Sequence, residues 1–155
     1  MLKLGKLTDY ATVVMTALAA EPTRLRCAQE LSEDTHVAAP TVSKLLKTLS
    51  KEGLVDSIRG AHGGYRLARD PAQITIADIV AAVEGPIALT ECAVHDGCCN
   101  IESTCGVRGN WRLINQAIHQ ALASVSLAQM AASTAASPKR VMRESPLPHP
   151  TFASN

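Results

Sequence analysis

Residues 40–67 read Pro40-Thr41-Val42-Ser43-Lys44-Leu45-Leu46-Lys47-Thr48-Leu49-Ser50-Lys51-Glu52-Gly53-Leu54-Val55-Asp56-Ser57-Ile58-Arg59-Gly60-Ala61-His62-Gly63-Gly64-Tyr65-Arg66-Leu67. The first half of this stretch has the period of a helix. Val42, Leu45, Leu46 and Leu49 recur at i, i+3, i+4 and i+7 and make one apolar stripe. Pro40 suits the first helical position, where its missing N–H is not needed, and Gly53 supplies the stop after Glu52. Beyond Gly53 the period changes. Leu54–Ile58 and Gly64–Leu67 are short strand-like runs, and the loop Arg59-Gly60-Ala61-His62-Gly63 between them has the glycines that a hairpin tip requires.

Two further helices are expected before this stretch. Thr8 can cap one of about residues 8–20, in which Ala11, Val14, Met15 and Leu18 share a buried face. Pro22 ends it. A shorter helix of about 26–33 turns Ala28 and Leu31 inward, with Cys27 as a buried small hydrophobe, and residues 33–38 form the turn into the next helix. Three helices followed by a β-hairpin make residues 1–70 a winged helix-turn-helix.

After the hairpin, Asp70-Pro71 breaks the chain, and Thr75 with Asp78 forms a capping pair for a helix ending near Glu84-Gly85-Pro86. Residues 71–109 are then a connecting helix and a cysteine-rich loop. A long helix is expected from about Asn110 to Met130, with an apolar stripe of Trp111, Ile114, Ile118, Ala121, Leu122 and Val125. A lone amphipathic helix must bury its stripe on something, and a second copy of the chain is the economical cover. Residues 110–131 are therefore assigned as a dimerisation helix. Residues 132–155, with Pro138, Pro146, Pro148 and Pro150, are assigned as a disordered tail. The expected fold is mainly α: a winged helix-turn-helix with a small β-hairpin wing plus a long C-terminal dimerisation helix.

Composition narrows the function. Of 155 residues only four are aromatic, so the core is aliphatic and Ala-rich. No apolar run approaches the roughly 20 residues of a membrane span, and the opening Met1-Leu2-Lys3-Leu4-Gly5-Lys6 does not resemble a signal peptide. A cytoplasmic location is expected, where thiols stay reduced. No nucleotide-binding glycine motif or nucleophile–histidine pairing is evident, so neither an enzyme nor a small-molecule substrate is expected. The net charge of +1 conceals an asymmetry: residues 38–69 carry six bases against Glu52 and Asp56. A local basic patch suits double-stranded DNA.

In helix-turn-helix proteins the N-terminal residues of the second motif helix face the base edges. Here these are Thr41, Ser43 and Lys44, with Lys47 and Lys51 placed for phosphate and Arg59 and His62 at the hairpin tip. Arg66 and Arg69 are weaker candidates.

Four of the five cysteines crowd into one loop, as Cys92, Cys98, Cys99 and Cys105. Grouped thiols in a reducing compartment point to a soft metal or an iron–sulfur cluster. Zinc is the plainer alternative, although adjacent Cys98-Cys99 is a poor match to the short-spaced pairs zinc favours.

Gly53-Leu54-Val55, Arg59-Gly60, Gly63-Gly64-Tyr65-Arg66-Leu67, the opening Leu7-Thr8-Asp9-Tyr10-Ala11 and the cysteine loop together resemble the winged-helix iron–sulfur regulators of IscR/NsrR type. So does the following Val107-Arg108-Gly109-Asn110-Trp111, and the resemblance spans about residues 1–131. Leu89-Thr90-Glu91-Cys92, Cys99-Asn100-Ile101-Glu102-Ser103-Thr104-Cys105 and Val125-Ser126-Leu127-Ala128 are most similar to the regulators of SUF iron–sulfur assembly operons.

The resemblance implies a homodimer that binds operator DNA and holds a two-iron or four-iron cluster through three cysteines of each chain. Cys92, Cys99 and Cys105 fit best, with Cys98 the alternate to Cys99. IscR-type members place a histidine three positions after the last cysteine, where this chain has Arg108, which cannot ligate iron. NsrR-like members use an aspartate of the partner's first helix, and Asp9 matches that position; His95 and Glu102 are local alternatives. The function implied is a cluster-sensing repressor of SUF genes. A nitric-oxide-sensing repressor and a zinc or thiol redox-responsive DNA binder are the alternatives.

Overall fold

The structure is a computed structural model and describes residues 4–90 and 104–136. Its elements run α1 (Lys6–Ala20), α2 (Ala28–Thr35), α3 (Ala39–Lys51), β1 (Val55–Ile58), β2 (Gly64–Leu67), α4 (Ile76–Glu84), α5 (Arg108–Ala123) and α6 (Leu127–Ala136), with a single 3₁₀ turn at Pro71–Gln73. This is the expected winged helix-turn-helix followed by further helices.

The core forms where the apolar period predicts it. Val14, Met15 and Leu18 of α1, Leu31 of α2 and Val42, Leu46 and Leu49 of α3 are fully buried, joined by Ile74, Ile79 and Leu127 from the later chain. α3 ends in a Schellman turn. The Leu54 N–H donates to the Leu49 carbonyl at 2.9 Å and the Gly53 N–H to Ser50 at 3.1 Å, with Gly53 at φ +71°.

β1 and β2 pair antiparallel, Val55 opposite Leu67 and Ile58 opposite Gly64. At the tip Gly60 takes φ +126°, and a Cβ on Gly63 would lie 2.2 Å from the Ile58 carbonyl oxygen. Both positions therefore exclude larger residues. Arg26 adds a one-residue third strand, exchanging backbone hydrogen bonds of 2.9 Å with Tyr65.

The structure corrects four expectations. α1 begins at Lys6 with Gly5 at its cap position, because Thr8 is turned inward to bond Glu84 instead of capping its own helix. α2 begins at Ala28, since the Arg26 backbone is engaged with the wing. Cys27 is exposed, and its Sγ accepts the Glu30 N–H at 3.4 Å as the cap of α2.

The fourth correction concerns the long helix, which is two. Residues 124–126 break it, and the flanking backbone turns to α4's entry: the Ile76 N–H donates to Val125 at 3.0 Å and the Leu127 N–H to Ile74 at 2.8 Å. α6 then runs through residues 132–136, where a tail was expected. Residues 137–155 lie outside the described residues.

Thr75 and Asp78 form the expected capping box of α4. No helix among the described residues is long and apolar enough to cross a membrane.

Candidate nucleic-acid interface and metal site

The α2–turn–α3 unit positions the first candidate surface. α2 ends at His36, in the left-handed conformation at φ +57°, and the Ser32 hydroxyl donates to the Val37 carbonyl at 2.7 Å. These contacts close the turn and send α3 across α2. With Val42, Leu45, Leu46 and Leu49 facing inward, the helical period leaves Lys44, Lys47 and Lys51 exposed, while Thr41 and Ser43 are half-buried. Arg59 and His62 are exposed at the wing tip.

The cations of this surface differ in their partners from Arg24, Arg26 and Arg66. Among the described residues, Lys44, Lys47, Lys51 and Arg59 form no ion pair, whereas Arg24 pairs with Glu21 and Glu30, Arg26 with Glu30 and Asp34, and Arg66 with Asp56. A cation left without an internal partner keeps its full charge for an external anion. Arg66, 3.6 Å from Asp56, is partly neutralised, in keeping with its lower rank as a candidate.

Arg26 is the residue that sequence reading missed. It is 3% exposed. Its guanidinium donates to the Ala17 carbonyl of α1 at 3.2 Å and to Glu30 at 3.3 Å, and it pairs with Asp34. Its backbone holds β2. One residue therefore ties the wing, through its backbone, to α1 and α2, through its side chain. A signal was present, since Arg26, Glu30 and Asp34 stand four residues apart.

The second candidate site is only partly described. Cys92, Cys98, Cys99, His95 and Glu102 lie outside the described residues. Cys105 is described, half-buried and in no disulfide, three residues before α5. Among the described residues no group of three or more His, Cys, Asp or Glu could hold an ion.

The approaches to the cysteine segment are well fixed. The Leu89 N–H donates to Asn115 Oδ1 of α5 at 2.9 Å; Asn115 is 9% exposed, and its Nδ2 has no partner among the described residues. Glu84, at the end of α4, accepts the Gly5 N–H at 2.7 Å and the hydroxyl of buried Thr8. Hydrogen bonds from Thr8 and then Gly5 hold the Glu84 carboxyl below its ordinary value.

Asp9 is exposed on the first turn of α1 and unpaired among the described residues. It borders two adjoining cavities of about 510 and 530 Å³ along α1, lined by apolar residues including Ile76, Leu122, Val125 and Met130 in the first, and Val13, Ala17, Met130 and Ala131 in the second. The outer face of α5 is also bare, with Trp111 at 36%, Ile114 at 43% and Leu113 at 66% exposure. Exposed apolar surface of this extent marks an interaction site.

Known proteins share this architecture. The HTH-type transcriptional regulator NsrR from Bacillus subtilis (strain 168) is 32% identical over 119 residues, covering 76% of this chain and 80% of its own. The structure of CymR, the global cysteine regulator of B. subtilis, superposes with a TM-score of 0.68 at 30% identity, over 86% of this chain and 98% of that one. The structure of IscR from T. potens gives a TM-score of 0.65 at 28% identity, over 86% and 88%. The family described as Rrf2, iron-dependent transcriptional regulator, matches residues 4–133. The chain therefore belongs to the Rrf2 family of winged-helix transcription regulators.

Proposed function

We propose that this chain is a homodimeric repressor of SUF iron–sulfur assembly genes whose operator affinity is set by an iron–sulfur cluster. The observation that carries the DNA-binding part is the row of cations unpaired among the described residues, Lys44, Lys47 and Lys51, along the exposed face of α3, with Arg59 at the wing. α3 enters the major groove with Thr41, Ser43 and Lys44 toward the base edges, and Lys47 and Lys51 toward phosphate. Arg59 and His62 reach the neighbouring minor groove. Arg26 fixes the angle between wing and helix, so both engage one duplex together. A dimer making on the order of 6–10 phosphate contacts loses roughly 10³–10⁵ in affinity between 50 and 200 mM salt.

The bare faces of α5 and the trough along α1 support the dimer: each is an apolar surface that one chain leaves uncovered. The cytoplasm, where grouped thiols stay reduced, is the compartment this reading requires.

The residues present fit a cluster. Cys105 is a free thiol with solvent access, and the cysteine segment is anchored at its entry by Asn115 and at the end of α4 by Glu84. Cys92, Cys99 (or Cys98) and Cys105 would hold the cluster as thiolates, with Asp9 supplied by the second copy. When bound, the cluster supplies redox and iron sensitivity. The chain's own residues do the rest. Glu84 and Asn115 link the cysteine segment to α1 and α5, so the state of that segment bears on the spacing of the two α3 helices, which must meet half-sites about one helical turn or a multiple apart.

Operator binding by apo and cluster-loaded protein, compared at one salt concentration, tests this reading. Equal affinities would contradict it. Exposed, unpaired Asp9 favours a second reading, nitric-oxide sensing, in which stoichiometric nitric oxide abolishes operator binding. A colourless protein that takes up zinc but not iron and sulfide would instead leave a zinc or thiol regulator.

A further inference from the structure

α1 has no cap of its own. Gly5 occupies the cap position and offers no side chain, so the first N–H groups of the helix need an acceptor from elsewhere. Glu84 supplies it across the fold. One of its carboxylate oxygens accepts both the Gly5 N–H, at 2.7 Å, and the hydroxyl of fully buried Thr8. The approach is close enough that a Cβ built on Gly5 would lie 2.9 Å from that same oxygen. Glycine at this position leaves room for the carboxylate.

The connection joins two places that matter. Glu84 is the last residue of α4, followed by Gly85 at φ +89° and then by the segment leading to Cys92. Thr8 immediately precedes Asp9. One carboxylate therefore pins the departure of the cysteine segment to the first turn of α1, the turn that presents Asp9.

We propose that Glu84 is a positioning residue for the metal site, capping α1 from α4 and so fixing the Asp9-bearing turn relative to the root of the cysteine segment. The proposal rests on the reading of Asp9 as a ligand. In the dimer, each Glu84 then links its own chain's cysteine segment to the ligand-bearing turn that the chain lends to the other copy.

The test uses the full-length protein, reconstituted anaerobically with ferrous iron and sulfide, in four variants: Glu84→Ala, Glu84→Gln, Gly5→Ala and Asp9→Ala. Two quantities are measured. One is amide hydrogen exchange of the α1 first turn in metal-free protein, which reads the cap without any cluster. The other is the rate at which the visible absorbance bleaches in air.

Glu84→Ala removes the carboxylate and Gly5→Ala displaces it. Both are expected to speed exchange in the first turn and to bleach about tenfold faster than wild type, as Asp9→Ala does. Glu84→Gln keeps an acceptor oxygen and is expected to stay within about twofold of wild type. Unchanged exchange in Glu84→Ala would show that no cap exists. Faster exchange with wild-type bleaching, while Asp9→Ala bleaches quickly, would show that the cap does not position the ligand. Wild-type bleaching in Asp9→Ala would overturn the ligand reading itself, and the positioning role with it.

Discussion

Between Lys6 and Leu67, the apolar side chains that recur at helical intervals cover one another; along α5 they do not. Met15, Leu18, Leu31, Leu46 and Leu49 are fully buried, whereas Leu113 is two-thirds exposed and Trp111 and Ile114 stand well into solvent. The polar groups differ in the same way. Buried Arg26 in the first region is engaged by Ala17, Glu30 and Asp34, while the amide nitrogen of buried Asn115 in the second has no partner among the described residues. The winged helix is covered within one chain, with Ile74, Ile79, Glu84 and Leu127 of the later chain completing it. The region beyond α4 leaves apolar surface along α5 and α1 uncovered, which the proposed second copy would cover.

The sharpest way to break the comparison is to cut one side chain from each region. Leu46→Ala should lower folding stability by about 2–5 kcal/mol, the range for a buried leucine that leaves a cavity. Ile114→Ala should change the stability of the isolated chain by less than about 0.5 kcal/mol, yet weaken self-association measured by sedimentation. Equal losses of stability in both would mean that α5 is covered within one chain. Arg26→Ala comes next. Removing the guanidinium should destabilise by about 2–3 kcal/mol, below the range for a wholly buried pair because Glu30 and Asp34 are partly solvated. Chemical denaturation reads this, and operator affinity should fall with it as the wing loosens.

The lysines of α3 separate recognition from stability. Lys44→Ala and Lys47→Ala should each leave stability within about 0.5 kcal/mol of wild type. Where the side chain touches phosphate, each should reduce the slope of log affinity against log salt by about 1. Fluorescence anisotropy on operator DNA over a salt series provides the check. An unchanged slope in both would assign the stripe to solvent alone. At the α5–α6 break, Ser126→Ala should cost about 1 kcal/mol by removing the cap of α6.

That last position also shows how legible the sequence was. The apolar periods of α1 and α3, the glycine-marked wing and the Thr75–Asp78 capping box appear in the structure nearly as spacing predicts, because each is decided by local chemistry. The α5–α6 break was also written locally. Ser126-Leu127-Ala128-Gln129 is a capping box, with the Ser126 N–H donating to Gln129 Oε1 at 2.8 Å and the Gln129 N–H to Ser126 Oγ at 3.3 Å. A continuous apolar stripe, with no Gly or Pro to interrupt it, hides that signal. Cys27 was misread for the same kind of reason: its residue type favours burial, but its place at the cap of α2 turns it outward. Glu84 and Asn115 were not legible at all. Their partners, Gly5, Thr8 and Leu89, are distant in sequence, and only the packed fold brings them together. The exposed cations of α3 could be read because a basic stripe has a period; the proposed ligand set for a metal could be read only as a grouping of thiols.

The central question is whether the cysteine segment controls DNA binding through a cluster. The most direct measurement is operator affinity, by anisotropy at fixed salt, for protein purified anaerobically, with its iron and sulfide content and visible spectrum taken from the same sample. The expected result is a coloured protein with matched iron and sulfide that binds the operator more tightly than its apo form. Cys92→Ala and Cys105→Ala should each lose both the colour and that difference. A colourless protein that cannot be reconstituted, or a coloured one whose operator affinity is unaltered by removing the cluster, would contradict it.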